Sequence, residues 1–490
     1  MKRNEFLKTL GFSAAAIWMA EGALSGCMDH SMEASAAPTI KEGDFIMSLP
    51  IPGTATSGSS LKAGTQSHAI LPGKSGNVLG YGDSILGPTF RVKTGTAVTI
   101  PFTNSLNEET NIHWHGLLVP SAMDGHPEQQ VKAGQSFTYS FTLNQPAGMA
   151  WYHPHPHMKT GKQVFMGLAG LFIVETAEET SLGLPAGAHE LPLIIQDKRL
   201  NKSGSPVYDP SMGDIMAGYM GDTITVNGIN APFHEVATRT YRVRVLNGSN
   251  GRMYNLALSN GDSFMVIGSD GGLLPAPEAV TNLLLAPGER VDLLVDFSKL
   301  STGTELFLQS NTFGGVNSQG KQTFKLLKFK ISRKESDSFK LPGSFPGLPA
   351  LSVASKTRNF LIGDELHSSG GHSKKGSMMG MHTINGKTYE ANRIDENVLL
   401  NSTEIWEFDN SKGDEPHPMH LHGTFFRVQS RSGGRGTLFP HEKGLKDTVL
   451  VMPGEIVRVL VHFARPGKFV FHCHNLEHED DGMMLNFEVK

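Results

Sequence analysis

The chain has little cysteine. Its 490 residues include two, Cys27 and Cys473, which excludes a disulfide framework and a cysteine-rich zinc module. The two stand in contexts that argue against their pairing with each other. Charge imbalance is also small: 43 Lys and Arg against 47 Asp and Glu leave a net −4 with no basic patch, so nucleic-acid binding has no support. The N-terminal apolar run, Leu10 to Ala20, is too short to span a bilayer by itself. Long amphipathic helical stretches are scarce. What is there instead is 55 Gly, 27 Pro and recurrent short runs of alternating apolar and polar residues between turn signals, the pattern of an all-β protein. The length suggests about three domains.

The first 37 residues are set aside from the fold. Lys2, Arg3 and Lys8 precede the apolar run, and Leu24-Ser25-Gly26-Cys27 closes it. That ending resembles a bacterial lipobox, in which the cysteine is lipidated and becomes the mature N-terminus. Lys2-Arg3-Asn4 resembles a twin-arginine export signal with Asn4 where the second arginine belongs. The expectation is an exported protein, periplasmic or elsewhere in the cell envelope, tethered to a membrane surface through Cys27.

The remainder repeats itself weakly. Ala133-Gly134-Gln135-Ser136-Phe137-Thr138-Tyr139, Pro287-Gly288-Glu289-Arg290-Val291-Asp292-Leu293 and Pro453-Gly454-Glu455-Ile456-Val457-Arg458-Val459 are each a turn followed by an alternating strand. Upstream of each lies a second strand, at 98–104, 241–247 and 404–410. The period is domain-sized. Pro- and Gly-rich connectors at 181–192 and 340–350 give domains at 38–182, 190–340 and 352–490. The first and third copies of the upstream element lead into a His-x-His pair and the middle copy does not. A metal site shared by domains one and three, with domain two as a spacer, is the expectation.

Four clusters hold ten of the 21 histidines: His113 and His115; His153 and His155; His417, His420 and His422; and His472, His474 and His478 around Cys473. In a strand, residues i and i+2 share a face, so each His-x-His pair can grip metal together. His472 and His474 then face one side and Cys473 the other, and one short strand touches two metal sites. A thiolate, two imidazoles and a distant thioether make a trigonal blue-copper site. Cys473, His478 and Met483 follow at steps of five, and His417, the odd member of its cluster, can supply the second imidazole.

These four motifs resemble the copper signatures of the multicopper oxidases, closest to the bacterial copper-efflux-oxidase and laccase-like branch. The likeness extends to Trp151-Tyr152-His153-Pro154-His155, Gly221-Asp222-Thr223, Ser269-Asp270-Gly271-Gly272 and the run from His472 to Asp480, and covers residues 45–490. It implies three consecutive cupredoxin-like Greek-key β-barrel or sandwich domains and four copper ions. His417, Cys473, His478 and axial Met483 would hold a mononuclear blue copper. His113 and His420 would hold the single copper of a trinuclear cluster, and His115, His153, His155, His422, His472 and His474 its coupled pair. Asp124 and Glu479 match positions where the family carries proton-relay acids. His157, one alternation beyond His155, is not implied as a ligand, and His126, His189, His234, His441 and His462 read as surface or satisfied core residues.

The implied reaction couples one-electron oxidation of a substrate to four-electron reduction of O2 to water. The donor is open. Residues 367–382 carry His367, His372, Met378, Met379, Met381 and His382 in a Gly- and Ser-rich segment that could bind Cu(I), since thioethers suit that ion. This favours a cuprous oxidase in copper tolerance with activity on phenols, acting as a monomer. The alternatives are a laccase with an organic donor and a copper-free structural relative. Met212, Met216 and Met220 lie at i, i+4 spacing and read as helix core packing rather than a metal track.

Overall fold

A computed structural model describes residues 34–83, 85–364 and 381–490. Cys27 of the lipobox and His367, His372, Met378 and Met379 of the insert lie outside the described residues, whereas Met381 and His382 lie inside. No helix among the described residues is long and apolar enough to cross a membrane.

The strands form three successive pairs of sheets. The first pair is two four-stranded sheets between Thr54 and Glu175. The second is a six- and a seven-stranded sheet, mostly between Glu190 and Arg333. The third is two five-stranded sheets between Lys356 and Val489. Each pair encloses its own apolar core, built around Phe90, Trp114 and Tyr152 in the first, Tyr241, Leu293 and Phe329 in the second, and Trp406, Phe471 and Phe487 in the third. The first pair begins at Thr54, later than position 38, because Met47–Ser48 pairs in parallel with Pro232–Phe233 and so extends a sheet of the second pair.

The sequence repeat corresponds to one recurring antiparallel ladder. Ala97–Asn104 pairs with Ser136–Thr142, Thr240–Asn247 with Arg290–Asp296, and Thr403–Asp409 with Glu455–His462. Alternation holds at the outer domains, where Ala97–Asn104 buries every second residue. It fails in the middle one, where Tyr241–Asn247 is buried throughout. A sheet covered on both faces loses the period-2 signal. Here the covered polar face is neutralised by ion pairs: Arg242 to Asp292 and Glu179, and Arg244 to Glu190.

Two short helices join the outer domains. Asp480, on the helix Leu476–Asp481, accepts hydrogen bonds from the first backbone N–H groups of the helix Thr160–Met166, Thr160 at 3.1 Å and Gly161 at 2.9 Å. Those N–H groups have no partner within their own helix, so the two carboxyl oxygens there satisfy them.

Candidate metal centre

The four histidine clusters meet at the boundary of the first and third domains. The first two are joined by a bridge in which His113 N donates to His153 O at 2.8 Å and His153 N to His113 O at 3.2 Å. The other two are ladder partners: His420 lies opposite His472, and Met419 opposite Cys473. The expected strand setting holds only in part. His113 and His115 sit in extended backbone and a turn, His153 and His155 just beyond the strand Gly148–Tyr152, and His474 just beyond Gly467–Cys473.

Eight of the ten cluster histidines, all but His417 and His478, form one group here, each between 0 and 1 % exposed. Burial lowers the pKa of each, to about 3 for His153 and about 4 for His472, and neighbouring imidazoles add to the effect at His113, His115, His155, His420, His422 and His474. The rings are therefore neutral at ordinary pH, each with a lone pair to give.

Hydrogen bonds fix which nitrogen is free to give it. Nδ1–H of His113 donates to the Asp124 carbonyl at 2.7 Å, that of His420 to the Asp447 carbonyl at 2.8 Å, that of His422 to Asp124 Oδ2 at 2.7 Å, and that of His153 to the Pro154 carbonyl at 2.9 Å. Nδ1 of His472 faces the Cys473 carbonyl at 3.0 Å and Glu479 Oε2 at 3.2 Å, and Nδ1 of His155 lies 3.5 Å from Glu479 Oε1. Their Nε2 atoms converge. His155 and His472 are 3.2 Å apart, His422 and His472 3.1 Å, and His113 and His420 3.4 Å. Two lone pairs directed at each other repel, but two nitrogens that share one ion at about 2 Å sit about 3.3 Å apart. His115, His153 and His474 supply a further group: Nδ1 of the first, Nε2 of the second and both nitrogens of the third are buried without a hydrogen-bond partner. Such orphaned atoms carry a cost unless something binds them. The donor set thus fits metal ions that take neutral imidazole.

Across the strand from this cluster lies the thiolate candidate. Cys473 Sγ is 3.5 Å from His417 Nδ1 and 3.6 Å from His478 Nδ1, and those two nitrogens are 3.2 Å apart. A near-equilateral S, N, N triangle of this size suits a trigonal ion bound at about 2 Å by nitrogen and 2.3 Å by sulfur. His417 is brought to about 3 by burial and the neighbouring His382. Met483 is buried in the same core as Cys473, and its carbonyl accepts the Cys473 N–H at 3.1 Å. Asn475 N donates to Sγ at 3.4 Å. His157 joins neither group; its ring lies 5.0 Å from that of Tyr389. Of the insert, His382 stacks on His478 with ring centres 3.9 Å apart, and Asp481 accepts from the backbone N–H of Met381 and His382 and from His382 Nδ1.

Sequence reasoning missed two contributors. The helix Met212–Ala217 does bury Met216, but its Met216 carbonyl also accepts from His478 Nε2–H at 3.0 Å. Met220 lies past the helix end, behind Gly218. The middle domain is also more than a spacer. Gly288, at φ +81°, packs so closely on His474 that a Cβ there would lie 2.9 Å from the ring, and Arg290 reaches Asp447 beside His115. The available signals were the charged pair Lys446-Asp447 at the mouth of an apolar strand and the arginine directly after Pro-Gly-Glu in the second turn repeat, where the third has Ile456.

Multicopper oxidase family models match residues 63–179, 194–326 and 365–490. The chain is 38 % identical over 425 residues to the multicopper oxidase mco of Staphylococcus epidermidis, covering 84 % of each. It is 36 % identical over 414 residues to the cell division protein FtsP of Xenorhabdus nematophila, covering 83 % of this chain and 84 % of that one. The crystal structure of the McoA multicopper oxidase of Aquifex aeolicus superposes with a TM-score of 0.83 at 34 % identity, over 92 % of this chain and all of that one. With its three cupredoxin-like domains and its histidine and cysteine groups in one place, the chain belongs to the multicopper oxidase family.

Proposed function

We propose that this oxidoreductase holds four copper ions and oxidises Cu(I) to Cu(II) in copper tolerance, with laccase-like activity on phenols. His417, Cys473, His478 and Met483 would hold the blue copper. His113 and His420 would hold the single copper of the trinuclear cluster, and His115, His153, His155, His422, His472 and His474 its pair. Copper bound at these positions would take electrons singly from the donor and deliver four to O2. The observation that carries the reading is that Cys473 faces His417 and His478 while adjoining His472 faces His155 and His422. The peptide between the two sites is a covalent path for electrons. A copper-free structural role is disfavoured because every ligand position is filled.

Asp124 and Glu479 are the proposed proton relays. Both are buried, and burial pushes both carboxyls well above their ordinary range, with Asp480 adding to the effect at Glu479. Asp124 receives the Nδ1–H of His422, and Glu479 sits against Nδ1 of His155 and His472. Each can hold a proton next to the cluster. Asp124→Asn and Glu479→Gln keep the shape and remove the transferable proton. Each should retain copper and colour while O2 reduction falls by about 10²-fold or more, measured as reoxidation of the fully reduced protein by O2. Reoxidation at the wild-type rate would remove that residue from the relay.

Cu(I) is the proposed donor because the insert 367–382 ends on His382, stacked against His478. The test is turnover of Cu(I), Fe(II) and a phenol at matched conditions, before and after deletion of residues 367–382. Selective loss of Cu(I) turnover supports the reading; intact Cu(I) turnover removes the insert as the entry site, and phenol turnover alone in the full chain makes the protein a laccase with an organic donor. Attachment to the envelope through Cys27 predicts that Cys27→Ala moves the protein from the membrane fraction to the soluble one, read by immunoblot.

A further inference from the structure

The eight cluster histidines outside the Cys473 triangle share one habit with one exception. Where a cluster ring has a hydrogen-bond partner outside the cluster, that partner is on Nδ1 and Nε2 faces inward, but His115 is reversed. Its Nε2 lies 3.0 Å from Asp447 Oδ1 and 3.1 Å from Thr448 Oγ1, and its Nδ1 is buried with no partner. A carboxylate can only accept, so Nε2 carries the proton and Nδ1 carries the lone pair.

Asp447 is itself immobilised from the second domain. Arg290 Nη1 donates to Asp447 Oδ1 at 2.7 Å and Nη2 to Oδ2 at 2.5 Å. The rest of the guanidinium is fully used as well: Nε donates to the Met149 carbonyl at 3.0 Å, Nη1 to the Gly288 carbonyl at 2.9 Å and Nη2 to the Asp270 carbonyl at 3.2 Å. All five donors are spent and the side chain is 0 % exposed. One arginine of the second domain therefore ties backbone of the first to a carboxylate of the third. Asp270 closes the frame, accepting from Arg290 N at 2.8 Å and from Asp447 N and Thr448 N at 3.2 Å each. The fit is tight at Gly116, the residue after His115: a Cβ there would lie 2.5 Å from Arg290 Nη2 and 2.8 Å from Asp447 Oδ2.

We infer that Asp447, clamped by Arg290, is the positioning carboxylate of His115 in the trinuclear site, setting the tautomer and rotation of that ring so that Nδ1 presents to metal. The inference rests on the copper assignment proposed above. A carboxylate behind a ligating imidazole orients the ring and raises its basicity, and loss of such a partner costs about 10- to 100-fold in metal affinity. Breaking one side of a buried pair leaves a charge stranded, but removing both together with apolar groups of similar size is often tolerated. The test is therefore the double variant Asp447→Leu/Arg290→Met beside Asp447→Ala.

Both are loaded with copper, dialysed against graded concentrations of a copper chelator, and read for copper per chain and for the blue absorption of the Cys473 site. The expected result is that cluster copper is lost at roughly 10- to 100-fold lower free chelator than in wild type, with the blue absorption retained as the sign of an intact third domain. Release of cluster copper within twofold of wild type in a blue double variant would overturn the inference and leave the copper assignment standing. A wild type that binds no cluster copper would overturn both. A double variant that loses the blue absorption in step with cluster copper would also overturn it, since the clamp would then serve the fold as a whole.

Discussion

Cys473→Ser should bleach the copper-loaded protein and lower O2-coupled oxidation of every donor by at least about 10³-fold, which is about 4 kcal/mol at the transition state. The reasoning is ligand chemistry. Sγ sits at one corner of a triangle with His417 Nδ1 and His478 Nδ1, and soft thiolate is what makes such a site blue and holds Cu(I) and Cu(II) in one geometry. A serine hydroxyl is hard, is not ionised at neutral pH, and leaves two imidazoles and the weak thioether of Met483. The fold should survive, because Cys473 lies at the end of a ladder opposite Met419 and gives its backbone N–H to the Met483 carbonyl, neither of which involves the sulfur. Metal analysis should then show about one copper fewer per chain and visible absorption should vanish, while the buried group of His155, His422 and His472 keeps its copper. A serine variant that stays blue would sink the assignment.

Much of this site is legible in the sequence because its ligands are local pairs. His113 with His115, His153 with His155 and His472 with His474 can be read as gripping pairs from their i, i+2 spacing, although the strand setting behind that reading holds only in part. The three ladders are legible for a similar reason, since a turn followed by an alternating strand recurs once per domain. What could not be read falls into two kinds. Asp447 meets His115 across 332 positions and Arg290 across 157, and the local signal, a charged pair before an apolar strand, does not say which residues it meets. The Met216 carbonyl that receives His478 Nε2–H is a backbone group, so the identity of the side chain at 216 carries no trace of it; the i, i+4 methionines spoke only of packing. Reading the middle domain as a spacer followed correctly from its missing histidines. It failed because support for a metal site needs carboxylates, arginines and glycines, which no metal-ligand motif announces.

The third domain is predicted to depend on a buried charge network remote in role from copper. On the strand Phe426–Gly433, Arg431 bonds Glu442 through Nη2, and through Nε at 3.1 Å, and reaches Glu455 with Nη1 at 2.7 Å. All three side chains are 0 % exposed. The carboxylates also hold backbone: Glu442 accepts from Phe439 N at 2.8 Å and Glu455 from Met452 N at 3.0 Å. Arg431→Met fills the space but strands two carboxylates with only Arg435, itself stacked on Phe439, to answer them. The cost of breaking such a buried set from one side is about 3–5 kcal/mol. For a domain of this size that is a fall of about 10 °C or more in the calorimetric transition. Burial alone would raise the Glu442 pKa, but Arg431 and Arg435 outweigh it and the net shift is downward. Its contribution is therefore fully present above the unfolded value of 4.5 and is lost as pH falls through the lower folded value. In Arg431→Met the stranded carboxyls protonate more readily, so the gap between wild type and variant should be widest near neutrality and narrow below about pH 4.5. A gap that stays constant from pH 7 down to pH 4 would mean that Arg431 acts through packing of its stem rather than through charge.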